Sequence, residues 1–166
     1  MAVMVKVSET KIVFQNLFIC TAVFYTIYYL SHVICFIGVR VISRCHPLLH
    51  CMTSFENFDE FGPFDFKTNP SWSDKKYLVN LISLESTYII CGHLFVLIVE
   101  EWVWDYACTI TVIHVIITTM VMMEFPFAIH WWITIGIGMV TMVFEGQILA
   151  YLFFRDNYIY PVLDDF

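Results

Sequence analysis

Three ionisable side chains lie near the middle of long apolar stretches of this sequence: Glu85, His114 and Glu145. Ionisable groups are costly inside hydrocarbon, so each is expected to face other helices and to find a polar partner there. Thr111 and Thr118 lie three and four residues from His114, and therefore on the same helical face. We predict that a hydrogen bond from His114 to Glu145 or Glu85 links two helices.

The same three residues support a second interpretation, a path that carries protons or another ion through a membrane by relayed titration. Such a path requires a water-filled route, which four short helices of one chain rarely enclose. Catalysis is disfavoured, because the sequence has no Ser-His-Asp grouping, no His-Glu-x-x-His motif and no paired carboxylates at a suitable spacing. We therefore predict no enzymatic activity, no cofactor and no metal.

The composition indicates that the bilayer is the solvent of this chain. Of its 166 residues, 60% are hydrophobic and 14% are charged, whereas soluble domains are about half apolar and about a quarter charged. Four apolar runs, near 12–39, 78–99, 105–123 and 131–154, are each long enough to cross roughly 30 Å of hydrocarbon. The sequence predicts an all-α membrane protein, a four-transmembrane-helix bundle that forms a single multi-pass domain over 1–166.

The links between the second, third and fourth runs are short, which predicts antiparallel neighbours in a compact bundle. The first loop, 40–77, is longer, and it carries a phenylalanine at about every third position between acids from Phe55 to Phe66. This pattern fits a segment that lies on the membrane surface or folds back over the helix ends, and a solvated loop is the alternative. Ser73 is predicted to cap the second helix.

A stripe of small and polar residues follows one face of the fourth run: Thr134, Gly138, Thr141 and Glu145. Small residues allow two helix backbones to approach closely, and hydroxyl groups can form hydrogen bonds across such a contact. The stripe predicts that this face packs against another helix.

Cys45-His46 and His50-Cys51 together offer two thiols and two imidazoles. Their spacing does not match the usual intervals of zinc sites, which disfavours a metal. Cys45 could carry a palmitoyl chain if it is cytosolic, or pair with Cys51 if it is lumenal.

The distribution of charge in the sequence predicts few binding partners other than the bilayer. The formal net charge of -7 comes from scattered acids, and there is neither a basic patch for nucleic acid nor a glycine-rich phosphate loop.

The numbers of Lys and Arg residues near the two ends of the bundle are almost equal, and they slightly favour an orientation with the termini outside the cytosol. The oligomeric state does not follow from the sequence.

Aromatic and polar residues at fixed spacing form one further pattern. It contains Asp-Tyr-x-x-Thr at 105–109 and Thr-Ile-Tyr-Tyr-Leu-Ser at 26–31. The residues that carry it are Tyr28, Tyr29, Asp105, Thr109, His114, Phe125, Pro126, Trp131, Trp132 and Gly146. In these residues the chain resembles the Sys-one family of Golgi membrane trafficking proteins, and stretches 64–72 and 99–106 resemble its transmembrane protein 244 branch.

The resemblance implies a four-helix protein of the Golgi and trans-Golgi network, with both termini in the cytosol, that acts in vesicle traffic. The family's role is to recruit an Arf-like small GTPase through the acetylated N-terminal segment of that GTPase. An apolar groove at the cytosolic interface could hold such a segment.

This chain departs from the family pattern in two places. Its link at 100–104 is acidic and aromatic where the family's is basic, and Glu145 precedes Gly146 where the family has glycine followed by glutamate. A scaffold role without the GTPase is therefore a further alternative.

Near the C-terminus, the stretch from Tyr160 to Leu163 fits a tyrosine sorting pattern.

Overall fold

The computed structural model describes the backbone of residues 2–45, 61–99 and 103–159, and the side chains of 10–42, 61–99 and 103–153. Within these ranges the chain forms four α-helices and one short 3₁₀ helix, and no strand. The helices are α1 Ala2–Cys45, α2 Lys75–Val99, α3 Val103–Met122 and α4 Ile129–Ile159, and the 3₁₀ helix is Gly62–Phe64.

The predicted all-helical class is confirmed, and the helices extend beyond most of the predicted ends. Met123, predicted to be helical, instead has a φ of 52° and ends α3 in the left-handed conformation. The predicted cap of α2 is wrong. The cap is Asp74, whose Oδ1 accepts the Lys76 amide at 2.9 Å, and not the neighbouring Ser73.

Four helical segments are long and apolar enough to cross a membrane: Thr10–Ile42, Lys75–Val99, Val103–Met122 and Ile129–Phe153. Their outward faces are apolar as well, with Phe18, Leu97 and Phe144 each at least 65% exposed. Water would not tolerate such a continuous apolar surface, whereas hydrocarbon matches it. These observations confirm a four-helix transmembrane bundle.

Helix α2 is the centre of the bundle and packs most extensively against α4 and α1. Because the chain reverses at each link, α2 and α4 run parallel. Gly92 lies against the Met142 backbone, and Gly138 lies against the ring of Tyr88. The fully buried side chains come from all four helices and include Phe24, Tyr28, Tyr88, Phe95, Ile110, His114 and Met142.

Gly138 sets how closely α4 approaches α2. A Cβ atom at this position would overlap the ring of Tyr88. That ring cannot easily move, because it lies edge-on to Phe24 at 5.4 Å and its hydroxyl donates to Thr111 Oγ1 at 3.3 Å. The predicted packing of this face is therefore observed, although the Thr134 and Thr141 hydroxyls bond carbonyls of their own helix.

We predict that Gly138→Ala lowers the free energy of unfolding by about 1–3 kcal/mol, the usual cost of overpacking a core. The matched control is Gly136→Ala on the same helix, where a Cβ would meet nothing within 4 Å. There the better helix propensity of alanine should leave stability unchanged or raise it by up to about 1 kcal/mol. Unfolding in mixed detergent measures both variants, and equal effects would contradict this packing.

Candidate functional site

His114 lies at the centre of an aromatic cage that joins three helices and the first loop. Its side chain is fully buried, with an exposed fraction of 0%. Five aromatic rings have centroids within 5.5–6.3 Å of the imidazole. They belong to Phe24, Tyr25 and Tyr28 of α1, Phe64 of the 3₁₀ helix, and Trp131 of α4. We name this cluster the His114 cage.

The spacing of residues along the helices explains how several side chains of the cage come together. Phe24 and Tyr28 are four residues apart, so they project from the same face of α1, and Tyr25 adjoins them. Trp131 lies in the first turn of α4, directly after the link that follows α3. Three residues of the family pattern, Tyr28, His114 and Trp131, therefore meet in space.

The expected hydrogen bond from His114 to a glutamate is wrong. Nδ1 of His114 lies 3.3 Å from the Tyr25 hydroxyl, and Nε2 has no hydrogen-bond partner among the described residues. Gly146 packs against Val103 at the start of α3, whereas His114 packs against Trp131 near the start of α4. At 1.5 Å per residue, this separates His114 from Glu145 by about 20 Å along the bundle.

Glu85 and Glu145 each lie elsewhere. Glu85 is half-buried on α2 and makes no hydrogen bond within the described ranges. Glu145 is on α4, where its Oε2 is 3.6 Å from Nδ1 of His93. The three predicted intramembrane groups are inside the bundle segments, but the structure does not bring them together.

The loop after the 3₁₀ helix folds back over one end of the bundle, which we name the loop end. Phe64 and Phe66 are both buried at 5% exposure. The Tyr28 hydroxyl donates to the Pro63 carbonyl, and the Asn80 amide donates to the Asp65 carbonyl at 3.4 Å. Of the two alternatives for this stretch, the folded-back segment is observed for 61–68, and residues 46–60 lie outside the described part.

Asp65 fastens this loop to the start of α2. Its carboxylate accepts the Lys67 amide and the Thr68 hydroxyl, both at 2.8 Å, and pairs with Lys76 at 2.9 Å. Burial alone raises the pKa of Asp65, but the hydrogen bonds from Lys76, Thr68 and Lys67 outweigh burial and hold that pKa below its usual value. Lys67 also forms an ion pair with Glu124, which ties the loop to the link after α3.

Other residues of the family pattern form the link between α3 and α4. The Trp132 indole donates to the Pro126 carbonyl at 2.7 Å, and its ring lies 6.1 Å from that of Phe125. Tyr29 contacts Phe64 at the edge of the His114 cage, with ring centroids 6.3 Å apart. These contacts fix the turn at the loop end.

The opposite end of the bundle holds the rest of the pattern. Asp105 lies in the first turn of α3 there, and its carbonyl accepts the Thr109 hydroxyl at 2.8 Å. Gly146 leaves room for Val103, because a Cβ at 146 would lie 2.7 Å from its Cγ1. We name this the termini end. Cys45, Cys51, the link at 100–102 and the stretch Tyr160 to Leu163 lie outside the residues whose side chains the structure describes.

Sequence reasoning missed three residues that make these contacts: Tyr25, Phe64 and His93. The four-residue spacing of Phe24 and Tyr28 marked a buried face of α1, and Tyr25 borders it. The sequence also shows His93 as a further ionisable residue within an apolar run, which could have marked it as a candidate. No spacing along the chain could have assigned Phe64 to the cage, since a loop position has no helical period.

A small cavity lies at the loop end. A cavity of about 30 Å³, room for about two waters, lies between the loop, α2 and α4 and is lined by Asp65, Tyr77, Asn80 and His130, among others. No group of three or more His, Cys, Asp or Glu within the described ranges could hold a metal ion.

We predict that the Tyr25 hydroxyl acts on stability only through His114. Tyr25→Phe leaves both imidazole nitrogens unpaired and should lower the free energy of unfolding by about 1 kcal/mol. In a His114→Leu background the same change should cost nothing, so a double-mutant cycle measures the coupling. Tyr29→Phe, whose ring is 39% exposed, is the control. Additive effects of the two changes would contradict the contact.

We predict that Asp65→Asn loosens the loop and raises amide hydrogen exchange over 61–74, while Asp105→Asn at the termini end does not. Because the folded pKa of Asp65 is lowered, its stabilisation is present at neutral pH. It is lost as the pH falls below the ordinary value of about 4 and through the lowered pKa. The wild-type loop should therefore loosen only in acid, and a loop whose exchange is unchanged by Asp65→Asn would contradict this role.

Comparison with known proteins identifies the family of this chain. The family model SYS1, described as an integral membrane protein linking to the trans Golgi network, matches residues 4–152, which include all four spanning segments. Human transmembrane protein 244 is 44% identical over 138 residues, which cover 83% of this chain and 97% of the human protein. No solved structure matches the chain. This chain therefore belongs to the SYS1 family of integral membrane proteins of the trans-Golgi network.

Proposed function

We propose that this protein anchors a trafficking factor, an Arf-like small GTPase, at the cytosolic face of the trans-Golgi network. The observation that carries the proposal is the family match over 4–152, because it extends through every spanning helix. SYS1 is a membrane family of the trans-Golgi network and not a known enzyme family. Anchoring requires no reaction, only a surface that holds a partner.

The interior of the bundle favours anchoring over ion transport. A relay needs titratable groups within hydrogen-bond reach of one another or of water. Here His114 is enclosed by aromatic rings, and Glu145 lies about 20 Å away from it along the bundle. These features support an anchor whose polar side chains hold helices together.

The termini end offers an apolar surface suited to a short capped peptide. Phe14 and Phe18 are 67% and 77% exposed on α1, and Trp104 is 45% exposed on the first turn of α3. Asn16 of α1 and Tyr106 of α3 lie within reach of each other, which places these aromatics near the same level of the bundle. An acetylated, amphipathic N-terminal segment could lay its apolar face against them.

We predict that cells without this protein lose an Arf-like GTPase from the trans-Golgi network to the cytosol, and that re-expression of the wild type restores it. Trp104→Ala should weaken binding of the GTPase about tenfold or more and lower the bound fraction accordingly, since an aromatic anchor is often worth about 1.4 kcal/mol or more. Quantitative imaging of the tagged GTPase measures the bound fraction.

The matched control is Trp72→Ala, which removes an 82% exposed indole at the loop end. This variant should restore the GTPase as well as the wild type does. An Arf-like GTPase distribution that does not change when the protein is removed would refute the proposed partner and leave the other scaffold role.

A further inference from the structure

His93 and Glu145 form a polar pair on the outer boundary between α2 and α4. The side chain of His93 is 52% exposed and that of Glu145 is 33% exposed, with Nδ1 and Oε2 3.6 Å apart. His93 is six residues before the end of α2, and Glu145 is eight residues before the end of the spanning segment of α4. Both therefore lie about 9–12 Å inside the termini end, within the apolar segments.

The pair is not satisfied by its own chain. Nδ1 of His93 donates to the Ile89 carbonyl at 2.8 Å, because a carbonyl can only accept. No described residue bonds to Nε2 of His93. The buried Oε2 of Glu145 has no hydrogen-bond partner among them either, but it is not accessible to a second chain. Hydrocarbon supplies no donor or acceptor, so the exposed parts of these two side chains need a polar partner from outside the chain.

A membrane restricts the geometry of that partner. Copies of one chain inserted in the same orientation are related by an axis along the membrane normal, so equivalent groups stay at equal depth. His93 and Glu145 are themselves at one depth, because their side chains are in contact. A two-fold axis beside them therefore brings His93 of each copy opposite Glu145 of the other, which makes the surface self-complementary.

We propose that this face of α2 and α4 binds a second copy of the same chain through two reciprocal contacts between His93 and Glu145. In each contact one proton lies between Nε2 of His93 and the carboxylate of the second copy, carried by either group. Ile89 and Leu97, one turn either side of His93, and Ile148 beyond Glu145 are 40%, 67% and 57% exposed and supply the surrounding apolar surface. The proposal does not depend on the GTPase.

The test is energy transfer between donor-labelled and acceptor-labelled full-length protein in lipid vesicles, followed as the protein-to-lipid ratio falls. The wild type should self-associate. His93→Leu and Glu145→Leu each remove both reciprocal contacts, and each should weaken association about tenfold, as expected for two interhelical hydrogen bonds. Gln147→Leu, an exposed polar residue on a different face of α4, is the control and should associate like the wild type.

A mixture of the two variants separates loss of contact from loss of folding. A His93→Leu copy still has Glu145, and a Glu145→Leu copy still has His93, so a mixed pair recovers one of the two contacts. The mixture should therefore associate about threefold more tightly than either variant with itself. A wild type that stays monomeric at every ratio, or a mixture no tighter than the single variants, would overturn the proposal.

Discussion

The structure depends on one constraint: a polar group inside hydrocarbon has to find its hydrogen-bond partner within protein. Backbone groups meet it by forming helices, and several side chains meet it by bonding to another element. The Tyr25 hydroxyl lies 3.3 Å from Nδ1 of His114, and the Tyr88 hydroxyl donates to Thr111 Oγ1 at 3.3 Å. Asp65 pairs with Lys76 and ties the loop to the start of α2. The two tyrosine contacts join helices that are distant in the sequence.

Close packing makes these polar contacts possible. Since Gly138 lets the ring of Tyr88 lie against α4, that hydroxyl reaches Thr111 on α3. Tyr28 similarly connects the His114 cage to the loop through the Pro63 carbonyl. The tyrosines therefore serve two purposes, because an aromatic body fills the core while the hydroxyl reaches a neighbouring element. This combination joins the helices and the loop into one compact bundle.

The sequence was sufficient to predict the number of helices, their class and their interior face, since hydropathy and period are local properties. It was insufficient for the partner of His114. A period of 3.6 residues shows which face of a helix is buried, but not which residue of another helix lies at the same depth. The depth of Glu145 depends on the short link before Ile129 and on the antiparallel direction of α3 and α4. The cap of α2 was missed by one residue because Ser73 and Asp74 are both good capping residues.

The residues of the family pattern also show what the sequence could and could not predict. Tyr28, His114 and Trp131 meet in the cage, whereas Asp105, Thr109 and Gly146 lie at the opposite end of the bundle, so the family pattern marks several structural contacts rather than one site. A role for His93 is suggested only by its position beside Glu145. No spacing within α2 could indicate that position. Membership of the SYS1 family places the bundle at the trans-Golgi network.

We propose that the polar groups inside this bundle hold its helices together and do not form an ion path. Flux through the purified protein in sealed vesicles tests it most directly. With a proton or potassium gradient imposed, the wild type should leak no faster than protein-free vesicles. A flux that requires the protein and disappears in His114→Leu would contradict the claim.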